Sequence, residues 1–174
     1  MLRPYDKTRF ENLVLPHLDS AFNLACWLLR NRADGEDVVQ EAMLRAYRFF
    51  DRFQGQDARA WLLQIVRNTC YSWLKKRRSF ELVTEFDEEL HPRPGPTPET
   101  VTAQKQEQCR VKQALELLPA RFREILLLRE LEGCSYKEIA DMVGIPTGTV
   151  MSTLFRARER LQRSLTTHAA AKEA

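Results

Sequence analysis

The chain has 174 residues, 44% hydrophobic and 29% charged, which is enough apolar content for a packed core and too much for wholesale disorder. Its Lys and Arg residues number 27 against 24 Asp and Glu, a net charge of +3 that is too mild to name a nucleic-acid partner, so the distribution of charge must decide. Cys26, Cys70, Cys109 and Cys134 stand far apart with no CxxC pair and no histidine close by, which argues against a zinc site or a disulfide framework and suits a reducing cytoplasm.

The opening stretch MLRPYDKTRFENLV spreads its charges throughout and is not expected to act as a signal peptide; no apolar run is long enough to span a bilayer, so no membrane insertion is expected. Strand signals are nearly absent, and a period of about 3.6 residues recurs along the chain, predicting an all-α fold. Phe10, Leu13, Val14, Leu18, Phe22, Ala25, Leu28 and Leu29 mark one helical face, with Pro16 kinking or breaking it early. A second helix begins near Asp34, and its apolar stripe is Val39, Ala42, Met43, Ala46, Tyr47 and Phe50. A third runs through ARAWLLQIVRNTCYSWLKKRR, burying Trp61, Leu62, Ile65, Val66, Thr69 and Trp73.

The clearest break is HPRPGPTPET, residues 91–100, which holds four of the eight prolines and reads as an extended linker preceded by the acidic ELVTEFDEEL. The predicted organisation is therefore an N-terminal helical domain over 1–80, a linker over 81–98, a C-terminal helical domain over 99–168 and a tail over 169–174. Four helices are expected in the second half, near 99–117, 119–131, 135–143 and 146–165. Two bodies this small are marginal alone, and one large partner that clamps both would stabilise them.

Three stretches carry chemistry. In SYKEIADMVGIPTGTVMSTLFRARERL, Ile139, Ala140 and Val143 face inward, Gly144 suits a left-handed turn, and Pro146 fits the first turn of the next helix. Val150, Leu154, Ala157 and Leu161 form one stripe, leaving Thr147, Gly148, Thr149, Met151, Ser152 and Arg156 on or near the other face. That is a helix-turn-helix pattern, in which a bare helix start enters the major groove and arginines hold phosphate. An ordinary helical hairpin with a solvated basic face gives the same spacing. In ADGEDVVQEAMLRAYR, acids at a helix start offset the dipole, but Asp37, Gln40, Glu41, Leu44 and Arg48 also form a mixed face suited to a protein interface. In RAWLLQIVRNTCYSWLKKRR, Arg67, Asn68, Tyr71 and Lys75 share a face that would suit stacked single-stranded bases; the tryptophans read more simply as core, and residues 75–78 as counter-charges to a helix C-terminus. Among the lone cysteines burial is the default, with Cys134 in the EGCSY turn expected as the exposed exception.

Taken together and in this order, the stretches DGEDVVQEAMLRAYR, FQGQDARAWLLQIVRNTCYSWLKKRR and ALELLPARFREILLLRELEGCSYKEIADMVGIPTGTVMSTLFRARERL resemble the extracytoplasmic-function group of bacterial sigma factors over nearly the whole chain. The resemblance implies a cytoplasmic, non-catalytic subunit that binds core RNA polymerase, directs it to promoter DNA, assists melting and answers to an anti-sigma factor. It implies that Asp37, Gln40, Glu41, Leu44 and Arg48 face the clamp helices of the largest polymerase subunit. Phe53, Gln54, Gly55, Gln56 and Asp57, with Arg67, Asn68, Tyr71 and Lys75, would meet the minus-ten element. Thr147, Thr149, Met151, Ser152, Phe155, Arg156 and Arg158 would approach the minus-thirty-five element. Many members carry basic residues where this chain has Met151 and Thr153, so fewer phosphate contacts are implied here. The competing readings are a stand-alone helix-turn-helix regulator and an enzyme acting on nucleic acid. The enzyme is disfavoured by the absence of HExxH, a P-loop or a metal-binding carboxylate cluster, and by the scatter of His17, His91 and His168. No cofactor is expected.

Overall fold

The computed structural model describes residues 4–55, 57–83 and 103–173, and among them every regular element is helical. In order these are α1 (Pro4–Val14), a 3₁₀ turn (Leu15–His17), α2 (Leu18–Leu29), α3 (Arg32–Phe49), a second 3₁₀ turn (Phe50–Arg52), α4 (Ala58–Val83), α5 (Ala103–Glu116), α6 (Ala120–Glu130), α7 (Tyr136–Val143) and α8 (Thr147–Glu173). The chain divides into two compact units, Met1–Glu85 and Phe86–Ala174. The Pro-rich run at 91–100 and the acidic residues from 84 to 90 lie outside the described residues. Two helices run past their expected ends, α4 to Val83 and α8 to Glu173, where a tail was expected from 169, while α5 and α6 stop short of theirs, at Glu116 and Glu130.

In the first unit α2, α3 and α4 pack on one another, with α1 across α4. Leu24, Ala25 and Leu29 of α2, Val38, Val39, Ala42 and Ala46 of α3, and Leu62, Leu63, Val66 and Cys70 of α4 are buried. Pro16 does break the first helical pattern. Because a 3₁₀ turn winds about three residues per turn, it rotates the stripe out of phase, and Leu18 just beyond it emerges exposed instead of buried; Leu13, at the edge of the α1 stripe, is exposed as well. Helix α3 starts two residues before Asp34. The Asn31 side chain accepts from the amides of Ala33 at 2.9 Å and Asp34 at 3.2 Å, an N-cap that the acidic residues alone do not supply. Asp34 instead receives Arg77 of α4 at 3.3 Å, so the basic run at 75–78 sits inside a continuing helix and does not cap a C-terminus.

Two backbone features close the α2–α3 hairpin. Arg30 takes φ +55°, a left-handed conformation uncommon outside glycine. Gly35 lets α3 lie directly on α2, since a Cβ there would stand 2.8 Å from Cys26 Sγ and 3.2 Å from the Cys26 amide nitrogen. At the other end of the unit the Phe50 ring is fully buried, edge-on to Phe10 and Trp61 and stacked on Phe53 at 5.9 Å. Trp61 and Trp73 are half-buried, Trp61 beside Phe53 at 4.9 Å and Trp73 under the Arg77 guanidinium.

In the second unit α5, α6 and α7 pack against α8. Val150, Leu154 and Ala157 are buried with Ile125, Leu128 and Ile139, as the stripe predicts. On α7, Ser135 Oγ accepts from the Glu138 amide while Glu138 accepts from the Ser135 amide, a reciprocal capping box. Gly144 takes φ +72° at the turn, and its amide donates to the Ala140 carbonyl. One expectation fails here. Cys134 is buried, its amide donating to Leu128 and its carbonyl accepting from Arg129 at 2.8 Å, whereas Cys109 on the outer face of α5 is the exposed cysteine. Thr153 is also buried, because α8 is covered along its Val150–Ala157 side broadly enough to take in a neighbouring position.

Two substitutions test this packing. Leu154→Ala empties the centre of the second unit and should lower its stability by about 2–5 kcal/mol in chemical denaturation. Gly35→Ala gains up to about 1 kcal/mol of helix propensity but forces a methyl into Cys26, at a cost of about 1–3 kcal/mol. The expected outcome is a lower Tm that Cys26→Ala in the same chain partly restores; an unchanged or raised Tm for Gly35→Ala alone would contradict the close helix contact.

Candidate functional site

Three surfaces carry the candidate residues. On α3, Asp37, Gln40, Leu44 and Arg48 are exposed and Glu41 is half-buried. At about 100° per residue these five lie on one side of the helix, opposite the buried Val39, Ala42 and Ala46. Leu44 is 69% exposed, an apolar side chain that the fold itself does not cover. Glu41 pairs with Arg45 one turn on, which holds its carboxylate along the helix surface. The face thus offers acid, amide, one leucine and one guanidinium, a composition suited to a protein partner.

The loop after Phe50 is moored at both ends. Phe53 is buried against Phe50 and Trp61, so its ring belongs to the core and serves the loop as an anchor. Asp57 turns its carboxylate onto the Ala60 amide at 3.0 Å, which makes it the cap of α4. Gln54 and Gly55 remain exposed between the anchors, and Gln56 lies outside the described residues. A side chain at Gly55 would press on the edge of the Phe53 ring, 3.0 Å from its Cε2. Farther along α4, Arg67 lies 4.7 Å over the Tyr71 ring, and Asn68, Tyr71 and Lys75 are exposed on the same side. This is a cation-backed aromatic surface of the kind that accepts an unstacked base.

On α8, Thr147, Gly148, Met151, Ser152, Phe155 and Arg156 are exposed and Thr149 is half-buried. Met151 and Phe155, one turn apart, are 53% and 70% exposed. Nothing lies within 4 Å of a Cβ built on Gly148, so that residue simply leaves the helix start bare. The Ser152 hydroxyl donates to the Thr149 carbonyl at 3.1 Å, which keeps its oxygen lone pairs outward. The arginines of this helix are unequal. Arg158 donates Nε and Nη2 to one oxygen of Glu130 on α6, and this hydrogen bonding pushes its guanidinium further up in pKa. Arg160 lies over the Phe122 ring and Arg163 pairs with Glu159. Arg156, among the described residues, is an exposed guanidinium on this face with no ion pair.

Sequence reasoning missed Asn31, Gly35, Asp57 as a cap, and Glu130. Asn31 had a legible signal, an Asx residue just ahead of a helix. Glu130 had none, since its partner is 28 residues away. Among the described residues no group of three His, Cys, Asp or Glu side chains could hold a metal, and no helix is long and apolar enough to cross a membrane.

Comparison with known proteins assigns the chain to a family. The family model for Sigma-70 region 2 matches residues 13–80, and that for Sigma-70, region 4 matches residues 110–161. The chain is 34% identical over 169 residues to the RNA polymerase sigma-H factor of Pseudomonas aeruginosa, covering 92% of this chain and 88% of that one. It is 36% identical, with the same coverage of both, to the ECF RNA polymerase sigma-E factor of Escherichia coli (strain K12). Among solved structures it matches the sigma factor RpoE from Bartonella quintana, in complex with the anti-sigma factor NepR, with a TM-score of 0.76 and 30% identity over 91% of this chain and 97% of that one. It also matches CnrH, in complex with the cytosolic domain of CnrY, with a TM-score of 0.66 and 25% identity over 92% and 90%. These matches make this all-helical chain a member of the extracytoplasmic-function group of the sigma-70 family, a non-catalytic sigma factor that directs RNA polymerase in transcription initiation.

Proposed function

We propose that the two units divide the work of initiation, the first docking on polymerase and opening DNA, the second reading duplex. The observation that carries the docking assignment is the α3 face. Leu44 stands exposed among Asp37, Gln40, Glu41 and Arg48, on the side of the helix that its own core leaves uncovered. An apolar side chain ringed by polar groups can form the dry centre of an interface with a polar rim, and the proposed partner is the clamp-helix pair of the largest subunit of core polymerase, in the bacterial cytoplasm. Gln54 and Gly55, held between the buried Phe53 and the capping Asp57, would receive an unstacked base of the minus-ten element, with Asn68 and the Arg67–Tyr71 pair supporting the strand. Extracting that base costs a few kcal/mol, which a moored loop offsets better than a floppy one.

The exposed face of α8 would enter the major groove at the minus-thirty-five element. Thr147, Thr149 and Ser152 supply hydroxyls, Met151 and Phe155 supply apolar contact of the kind thymine methyls accept, and Arg156 reaches phosphate or a guanine edge. Tethering both modules to one polymerase raises the effective concentration of each at its own element, so weak separate contacts suffice. An anti-sigma factor is proposed as a further partner, by similarity to RpoE of Bartonella quintana in its complex with NepR.

Two measurements test these assignments. Asp37→Lys with Glu41→Lys should leave the helical content and Tm nearly unchanged yet abolish co-migration with core polymerase and transcription from mapped start sites. A stand-alone regulator would instead keep its DNA binding and its regulation, and that result would end the docking assignment. Arg156→Ala should also fold normally, and should flatten the dependence of log affinity for duplex DNA on log salt by about 0.9, the loss of one phosphate contact. If the variant unfolds, the exposed face of α8 has been misassigned.

A further inference from the structure

The arginine comb of α8 hides two different jobs. At about 100° per residue, Arg156 and Arg158 point about 160° apart around the helix axis, so both cannot address one groove. Arg156 shares the side of Ser152 and Phe155. Arg158 turns back toward the preceding helices, where Nε and Nη2 converge on Glu130 Oε1 of α6, Nε at 3.1 Å. The pairing does not stand by itself. Arg129, next to Glu130, lies 4.7 Å over the Tyr136 ring at the start of α7 and donates to the Cys134 carbonyl. Tyr136 is also a near neighbour of the Arg158 guanidinium. Side chains from α6, α7 and α8 thus meet at one corner of the helix-turn-helix. Glu130 and Arg158 are each 50% exposed, and an ion pair so open to water adds little to stability. What it does add is a directional constraint, because a guanidinium offering two donors to one carboxylate oxygen restricts how α8 can rotate about its own axis over α6.

We propose that Arg158 makes no phosphate contact and that, with Glu130, it is a positioning pair that trims the rotation of α8 and so the aim of Met151, Ser152 and Phe155 at bases. The proposal rests on the reading of α8 as the minus-thirty-five helix. It separates two properties that a row of arginines would otherwise confound. General attraction to DNA belongs to Arg156, and discrimination between sequences depends on the Glu130–Arg158 pair.

The test uses the full chain and two duplexes, one containing a promoter mapped with the reconstituted holoenzyme and one with its minus-thirty-five element scrambled. Arg158→Ala and Glu130→Gln should each lower holoenzyme affinity for the mapped promoter roughly two- to fivefold, no more than an exposed ion pair can itself supply. Both should leave affinity for the scrambled duplex and its salt slope unchanged, whereas Arg156→Ala flattens that slope. Exchanging the charges in the double variant E130R/R158E should recover most of the discrimination. A flatter salt slope with Arg158→Ala would show a phosphate contact and overturn the proposal, as would full discrimination in both single variants. Should Arg158→Ala melt below the assay temperature, Glu130→Gln and the exchanged pair carry the same comparison. Failure of the underlying reading looks different: Arg156→Ala would then change neither duplex.

Discussion

The buried ring of Phe50 is the contact on which the first unit's working surfaces depend. It sits where α3 ends and the chain must turn, and it touches Phe10 of α1, Trp61 of α4 and Phe53 of the connecting loop, with Arg9 over its outer face. One side chain therefore sets the end of α3, the entry of α4 and the start of the loop between them. Aromatic packing of this kind is both apolar burial and geometric restraint, because ring faces and edges prefer particular orientations. The exposed residues Gln54 and Gly55 can be held for a ligand only because Phe53 beside them is withdrawn into that cluster and Asp57 is spent on the α4 cap.

The second unit solves the same problem with aliphatic packing and capping. Leu154 and Val150 bury one side of α8, which fixes the face that looks outward and leaves only its fine rotation to contacts at the rim. The capping box on α7 and the left-handed Gly144 set the angle at which α8 departs. Thr147, Gly148 and Ser152 can stay small and polar at the start of α8 because the buried stripe, not the outward face, supplies the stability. In both units the residues turned outward are those the core does not need.

Charge follows a similar economy. Most arginines with a described role are engaged within the fold: Arg77 with Asp34, Arg158 with Glu130, Arg163 with Glu159, and Arg9, Arg67, Arg129 and Arg160 over aromatic rings. A count of basic residues therefore overstates what is available to DNA. The modest net charge of +3 is consistent with a protein that borrows its grip from a larger assembly.

The sequence alone determined the helical class, the break at Pro16, the inward stripe of Val150, Leu154 and Ala157, the helix-turn-helix with Gly144 at its corner, and the outward face of α3. These are legible because helical periodicity and turn chemistry act over a few residues. The family was legible for a related reason, since its motifs are local and keep their order. What the tertiary structure decided involves partners far apart in the chain. It withdrew Phe53 into an aromatic cluster, buried Cys134 and Thr153 beneath neighbouring helices, exposed Leu18 through a change of helical phase, and tied Arg158 to a carboxylate 28 residues away. A local pattern says which side of a helix is apolar; only the packing of one helix on another says how wide the covered side is and which charges meet across the seam.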